Sequence, residues 1–138
     1  MLLALRPWWP AIQAEARAAH EDRYTLAAIV WHESRGNPHA FYQEKGGSCS
    51  IGLGGIYVRS CEPSLVARLR DPSFNLRTSA RMLRANRRYC RAHPREHRCA
   101  AGERVFRGGG AVNLYAGNTT RFAKEVRNLR ATLRTVLR

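Results

Sequence analysis

Apolar residues recur at helical spacing in three long stretches of the chain and lose that spacing in two others. Leu26, Ile29 and Val30 fall on one stripe and predict a helix over residues 23–34. Leu76, Ala80 and Leu83 do the same over 74–91, where the outer positions are rich in arginine. Phe122, Val126, Leu129, Leu133 and Val136 share one face of a helix predicted over 119–137. A shorter helix is predicted over 10–20, with Pro10 tolerated in its first turn. Another runs from Glu62-Pro63-Ser64 to Leu69. Asp71-Pro72-Ser73 is a helix-start signal with Asp71 as N-cap. Residues 41–61 break the pattern with Gly46, Gly47, Gly52, Gly54 and Gly55 among Ser48, Cys49 and Ser50, and read as a loop or small hairpin. Residues 92–110 read as a loop ending in Gly108-Gly109-Gly110. The expected fold is mainly α, of α+β type: one domain over residues 1–138 in which helices and a small Gly-rich lobe form a cleft. No internal repeat, linker or low-complexity tract divides it.

With 138 residues, 44% of them hydrophobic, the chain is long enough for one real core and too apolar for disorder. No apolar run approaches the roughly 20 residues of a membrane span. Charge changes the picture more. There are 24 Lys plus Arg against 10 Asp plus Glu, a net charge of +14, nearly all of it from arginine. Guanidinium groups suit bidentate binding of carboxylate and phosphate. The bland interpretation is a solvated basic surface; the sharper one is an anionic partner, whether nucleic acid, membrane surface or acidic wall polymer. Arg81, Arg84, Arg87, Arg88 and Arg91 lie mostly along one side of the 74–91 helix and could hold anionic wall or envelope polymers. No helix-turn-helix, zinc-finger or RNA-binding aromatic motif accompanies them. Nucleic acid therefore rests on charge alone and is not the expected partner. The opening Met1-Leu2-Leu3-Ala4-Leu5-Arg6-Pro7-Trp8-Trp9-Pro10 is too short for a complete signal peptide and has no basic leader. The expectation is a mature chain starting near here, another export route, or a phage-encoded enzyme such as an endolysin.

The four cysteines fall into two pairs, Cys49/Cys61 and Cys90/Cys99, each bracketing a loop. Local pairing is the natural choice among three connectivities and implies an oxidising compartment. The rival is zinc, since Cys90, His93, His97 and Cys99 sit within ten residues, though at a spacing unlike a familiar finger. The predicted assignment is no metal and no cofactor.

The chemistry points to Ala28-Ile29-Val30-Trp31-His32-Glu33-Ser34. An apolar helical run delivers one carboxylate, Glu33, to its last turn, and the chain then breaks at Gly36 and Pro38. A helix C-terminus disfavours negative charge. A carboxylic acid delivers a proton at neutral pH only if its environment raises its pKa. His32, beside it, reads as a packed or exposed histidine rather than a catalytic one.

Glu33-Ser34-Arg35-Gly36-Asn37-Pro38-His39-Ala40, then Gly52-Leu53-Gly54-Gly55-Ile56, then Asp71-Pro72-Ser73-Phe74-Asn75-Leu76, then Tyr115-Ala116-Gly117 resemble, in order and spacing over residues 11–129, the catalytic domain of the soluble lytic transglycosylases. The resemblance implies the lysozyme-like fold. It implies cleavage of the β-1,4 bond between N-acetylmuramic acid and N-acetylglucosamine, with Glu33 as the single acid and base. Ser34, Gly52, Leu53, Gly55, Ile56 and Tyr115 are then the substrate-cleft candidates, Tyr115 filling the position that in the family orients the glutamate. The chain departs from the family at Gly54-Gly55, where the family has Met-Gln, and at Asn113-Leu114-Tyr115, which lacks the usual Tyr-Asn order. The implied enzyme is a monomer acting on peptidoglycan strands in the periplasm or cell wall. One alternative is a muramidase of the goose-lysozyme kind, in which Glu44 or Glu62 would assist. The other is a non-catalytic basic domain that binds wall or nucleic acid.

Overall fold

The structure, a computed structural model, describes residues 1–117 and 120–137. The N-terminal segment is a short helix α1 (Leu2–Leu5), a 3₁₀ turn (Arg6–Trp8) and helix α2 (Trp9–Ala19). Helix α3 (Arg23–Ser34) follows, opened by Asp22, whose carboxylate accepts from the Thr25 N–H at 3.0 Å and the Thr25 hydroxyl at 2.7 Å. Strands β1 (Phe41–Gln43), β2 (Cys49–Ile51) and β3 (Ile56–Val58) form an antiparallel sheet in that order. Helices α4 (Pro63–Leu69), α5 (Pro72–Ala92), α6 (His97–Val105), α7 (Gly109–Tyr115) and α8 (Thr120–Val136) complete the chain. The fold is therefore mainly α with one small antiparallel sheet. The first residue of the predicted last helix, Thr119, lies outside the described residues.

Two cores hold it. The larger surrounds α3, which is buried on every side from Thr25 to Val30, not only along the Leu26–Ile29–Val30 stripe. A helix apolar all round belongs inside a bundle, and here α2, α5, α7 and α8 pack about it through Ile12, Leu76, Leu83, Val112, Phe122, Val126 and Leu133. Val136 does not join this face: it is exposed, and Leu137, one residue past the helix, is buried instead. The smaller core joins the sheet to α4 through Cys49, Ile51, Ile56, Val66 and Leu69.

The stretch 92–110 is not a loop. Glu96 caps α6, accepting from the Arg98 and Cys99 N–H groups, and the three glycines open α7 rather than end a loop. They allow helices to touch backbone to backbone: a Cβ on Gly102 would overlap Gly109, and one on Gly110 would meet the Cys99 carbonyl at 2.8 Å. Both local disulfides form, Cys49–Cys61 and Cys90–Cys99, with Cα separations of 5.6 and 5.4 Å. The second removes both thiolates from the zinc alternative. Among the described residues, no helix is long and apolar enough to cross a membrane.

Candidate active site

The loop after Glu33 is built by the residues of the first motif. Ser34 is buried; its hydroxyl donates to the Val30 carbonyl at 3.0 Å and accepts from the Gly36 N–H at 3.2 Å. Gly36 has a positive φ of 79°, and a Cβ there would stand 2.6 Å from the Ala4 carbonyl oxygen, so only glycine lets α1 close over the turn. The Asn37 side chain accepts from the His39 N–H at 2.9 Å. Ala40 is buried, and its carbonyl accepts from the Gly52 N–H at 2.8 Å. The helix end is thereby tied to the sheet lobe.

The second motif is a turn between β2 and β3, and Asn75 of α5 holds it. This fully buried amide donates to the carbonyls of Ile51 at 2.9 Å and Leu69 at 2.8 Å, and accepts from the Gly54 N–H at 2.8 Å. The Tyr115 hydroxyl donates to the Gly54 carbonyl at 2.6 Å. Burial pushes that phenol well above its ordinary range, as does the nearby Glu33, while the adjacent Ser79 hydroxyl acts the other way. Tyr115 is a neutral donor at any physiological pH.

These ties press Gly55 onto Glu33. With φ at 59°, Gly55 brings its backbone so close that a Cβ would overlap the Glu33 carboxyl. Gly55 is thus a lid on the carboxyl. Glu33 is pushed up from 4.5 to about 7, first by burial and then by the negative Glu44. Among the described residues no hydrogen-bond donor reaches its carboxylate, so nothing offsets the loss of water.

Glu33 opens into a cleft of about 830 Å³ between the helices and the sheet. Glu44, Ser50, Gly55, Tyr57, Met82 and Tyr115 line it, with His32, Arg121 and Glu125 along the α3–α8 side. The strand register sets Tyr42, Ser50 and Tyr57 in one row across the sheet, on the face opposite the small core. Both tyrosines are more than half exposed. Ser50 donates to Glu44 at 3.0 Å. His32 pairs with Glu125 at 2.8 Å and stands edge-on to Phe122; burial lowers its pKa, against the pull of Glu125.

Of the residues singled out from sequence, Glu33, Gly55 and Tyr115 meet at this cleft. Ser34, Gly52, Leu53 and Ile56 do not line it. Ser34 closes the helix end, Leu53 belongs to the main core, Ile56 to the small one, and Gly52 packs beneath Asn75. Tyr115 holds Gly54 rather than Glu33 itself. Glu44 faces the cleft, whereas Glu62 stands at the start of α4 and accepts from Ser64. The arginines of α5 also divide: Arg84 and Arg87 turn inward to Glu21, while Arg81, Arg88 and Arg91 are exposed. Sequence reasoning missed Tyr42, Tyr57 and Glu125, and gave no role of its own to Asn75, although Asn75 stands in the Asp71–Leu76 stretch that carries the resemblance. No family model, no curated protein and no solved structure matches the chain.

Proposed function

We propose that the protein is a lysozyme-like glycosidase that cuts peptidoglycan strands, acting as a lytic transglycosylase on the β-1,4 bond between N-acetylmuramic acid and N-acetylglucosamine. The observation that carries this is Glu33, a carboxyl with no hydrogen-bonding partner among the described residues, its pKa raised to about 7 by burial, at the base of an open cleft. Glu33 gives its proton to the glycosidic oxygen as the bond to the anomeric carbon breaks. The muramoyl N-acetyl oxygen holds that carbon. Glu33, now a carboxylate, takes the proton of the sugar's 6-hydroxyl, whose oxygen closes the 1,6-anhydro ring. One group with its pKa near neutrality serves as acid and then base. Tyr57, with Tyr42 beyond it, offers flat amphipathic faces to sugar rings. The order of the motifs along the chain and the two disulfides, which fit a periplasmic or wall location, support the same assignment.

One observation favours a hydrolytic outcome: Glu44 faces the same cleft and its field is felt at Glu33. In that case Glu44 would draw a proton from water, and the product would be a reducing sugar.

The test is digestion of purified sacculi followed by mass spectrometry of the glycan ends. Anhydro ends are expected, one water lighter than reducing ends; reducing ends alone establish the muramidase. Glu33→Gln should lower the rate by about a hundredfold or more, with the circular dichroism of the wild type. Cleavage by that variant at an undiminished rate contradicts the assignment.

A further inference from the structure

A second hollow, of about 600 Å³, opens where the α2–α3 turn, α5, α6, the α6–α7 turn and α8 meet. None of its lining residues belongs to the cleft at Glu33. Five guanidinium groups face it, from Arg84, Arg87, Arg91, Arg107 and Arg130, against three carboxylates, Glu21, Asp22 and Glu103. The balance is an excess of two positive charges, and two of the three carboxylates, Glu21 and Asp22, are already paired with arginine. Glu21 has no exposed side-chain surface; both its oxygens take the Arg87 fork at 2.7 to 3.0 Å, and Arg84 stands 4.0 Å away. Asp22 caps α3 and accepts from Arg130 at 2.7 Å. Glu103 accepts from the Gly108 N–H at 2.8 Å. Among the described residues, Arg91 and Arg107 have no acidic partner, and both are exposed.

The walls are also held in place. The Cys90–Cys99 disulfide lines the hollow and staples α5 to α6. Gly108, with φ at 94°, brings the α6–α7 turn against Arg87, where a Cβ would stand 2.8 Å from Nη1. Arg130 is fixed between Asp22 and the Phe106 ring. Arg84, Arg87 and Arg91 succeed one another at three and four residues along α5 and so share one helix face. A hollow whose cations outnumber its anions attracts a ligand that brings negative charge. A planar carboxylate takes one or two forks. A tetrahedral phosphate accepts from donors on several walls at once, as α5 and the α6–α7 turn require here.

We infer that this hollow is a binding site for a phosphate-bearing ligand, with Arg91 and Arg107 as its gripping residues and Arg84 as the third donor. The inference is independent of the glycosidase assignment, since no lining residue is shared. A soluble or polymeric molecule and a lipid headgroup are the two sources of such a phosphate, and two probes separate them.

Pyrophosphate is titrated calorimetrically into the intact, oxidised protein. Saturable binding at one site is expected. The Arg91→Ala/Arg107→Ala double variant should weaken it about tenfold or more. The Arg81→Ala/Arg127→Ala double variant, which removes the same charge outside the hollow, should leave it within about twofold by the same energy scale. The second probe is co-sedimentation with phosphatidylcholine vesicles carrying phosphatidylglycerol, against phosphatidylcholine alone. Vesicle binding that depends on Arg91 and Arg107 assigns the phosphate to a headgroup; pyrophosphate binding without vesicle binding assigns it to a non-lipid source. Absence of saturable binding to both probes, or equal loss in the two double variants, overturns the inference.

Discussion

The molecule buries two glutamates in opposite ways. Glu21 is wholly enclosed, and a guanidinium fork meets both its oxygens. Glu33 is largely enclosed too, but with glycine backbone above it, Glu44 nearby and no donor among the described residues. The first arrangement locks a charge into the scaffold between the α2–α3 turn and α5. The second keeps a proton on a carboxyl at neutral pH and leaves it facing a cleft. Burial alone does not make a reactive group; burial without a partner does.

Breaking the Glu21 pair should cost most in stability. Glu21→Ala leaves the half-buried Arg87 without its counter-ion, an expected loss of about 3–5 kcal/mol. Urea unfolding measures it, and the surviving folded fraction should cleave glycan at the wild-type rate. Next in size is the pH dependence of stability. The folded pKa of Glu33, about 7, lies above its ordinary 4.5, so the folded state binds the extra proton between those values. The resulting stability is fully present below 4.5 and is lost as pH rises through about 7, by about 3 kcal/mol. Glu33→Gln should abolish that slope and be the more stable protein at pH 8, again by urea unfolding. Gly55→Ala should be smaller, about 1–3 kcal/mol, because its φ is left-handed and its Cβ meets Glu33. It should also lower the cleavage rate in sacculus turbidity assays, since the carboxyl must move.

The scaffold around Glu21 and the cleft around Glu33 were unequally legible in the sequence. Helices α3, α5 and α8 follow from periodicity and from a start signal such as Asp71-Pro72, which are local properties. Helices α6 and α7 were hidden because Gly109 and Gly110, loop formers on their own, serve here as a close-packing surface against Gly102 and Cys99. That partner is known only after folding. The sheet lobe was legible as glycine-rich and irregular, but its third strand and the Tyr42–Ser50–Tyr57 row depend on register. Glu33 stood out by its place at a helix end. Ser34 was a cleft candidate through the resemblance, yet its hydroxyl satisfies the helix terminus. Asn75 escaped because its partners, Ile51, Gly54 and Leu69, come from two other segments. The interactions that raise the pKa of Glu33 are thus long-range, while the residue itself was visible locally.

The most direct test is an NMR titration of the Glu33 side-chain carboxyl carbon in the folded protein, assigned by comparison with Glu33→Gln. A midpoint of about 7 is predicted. A midpoint near the ordinary 4.5 would show a solvated carboxylate and contradict the acid–base role.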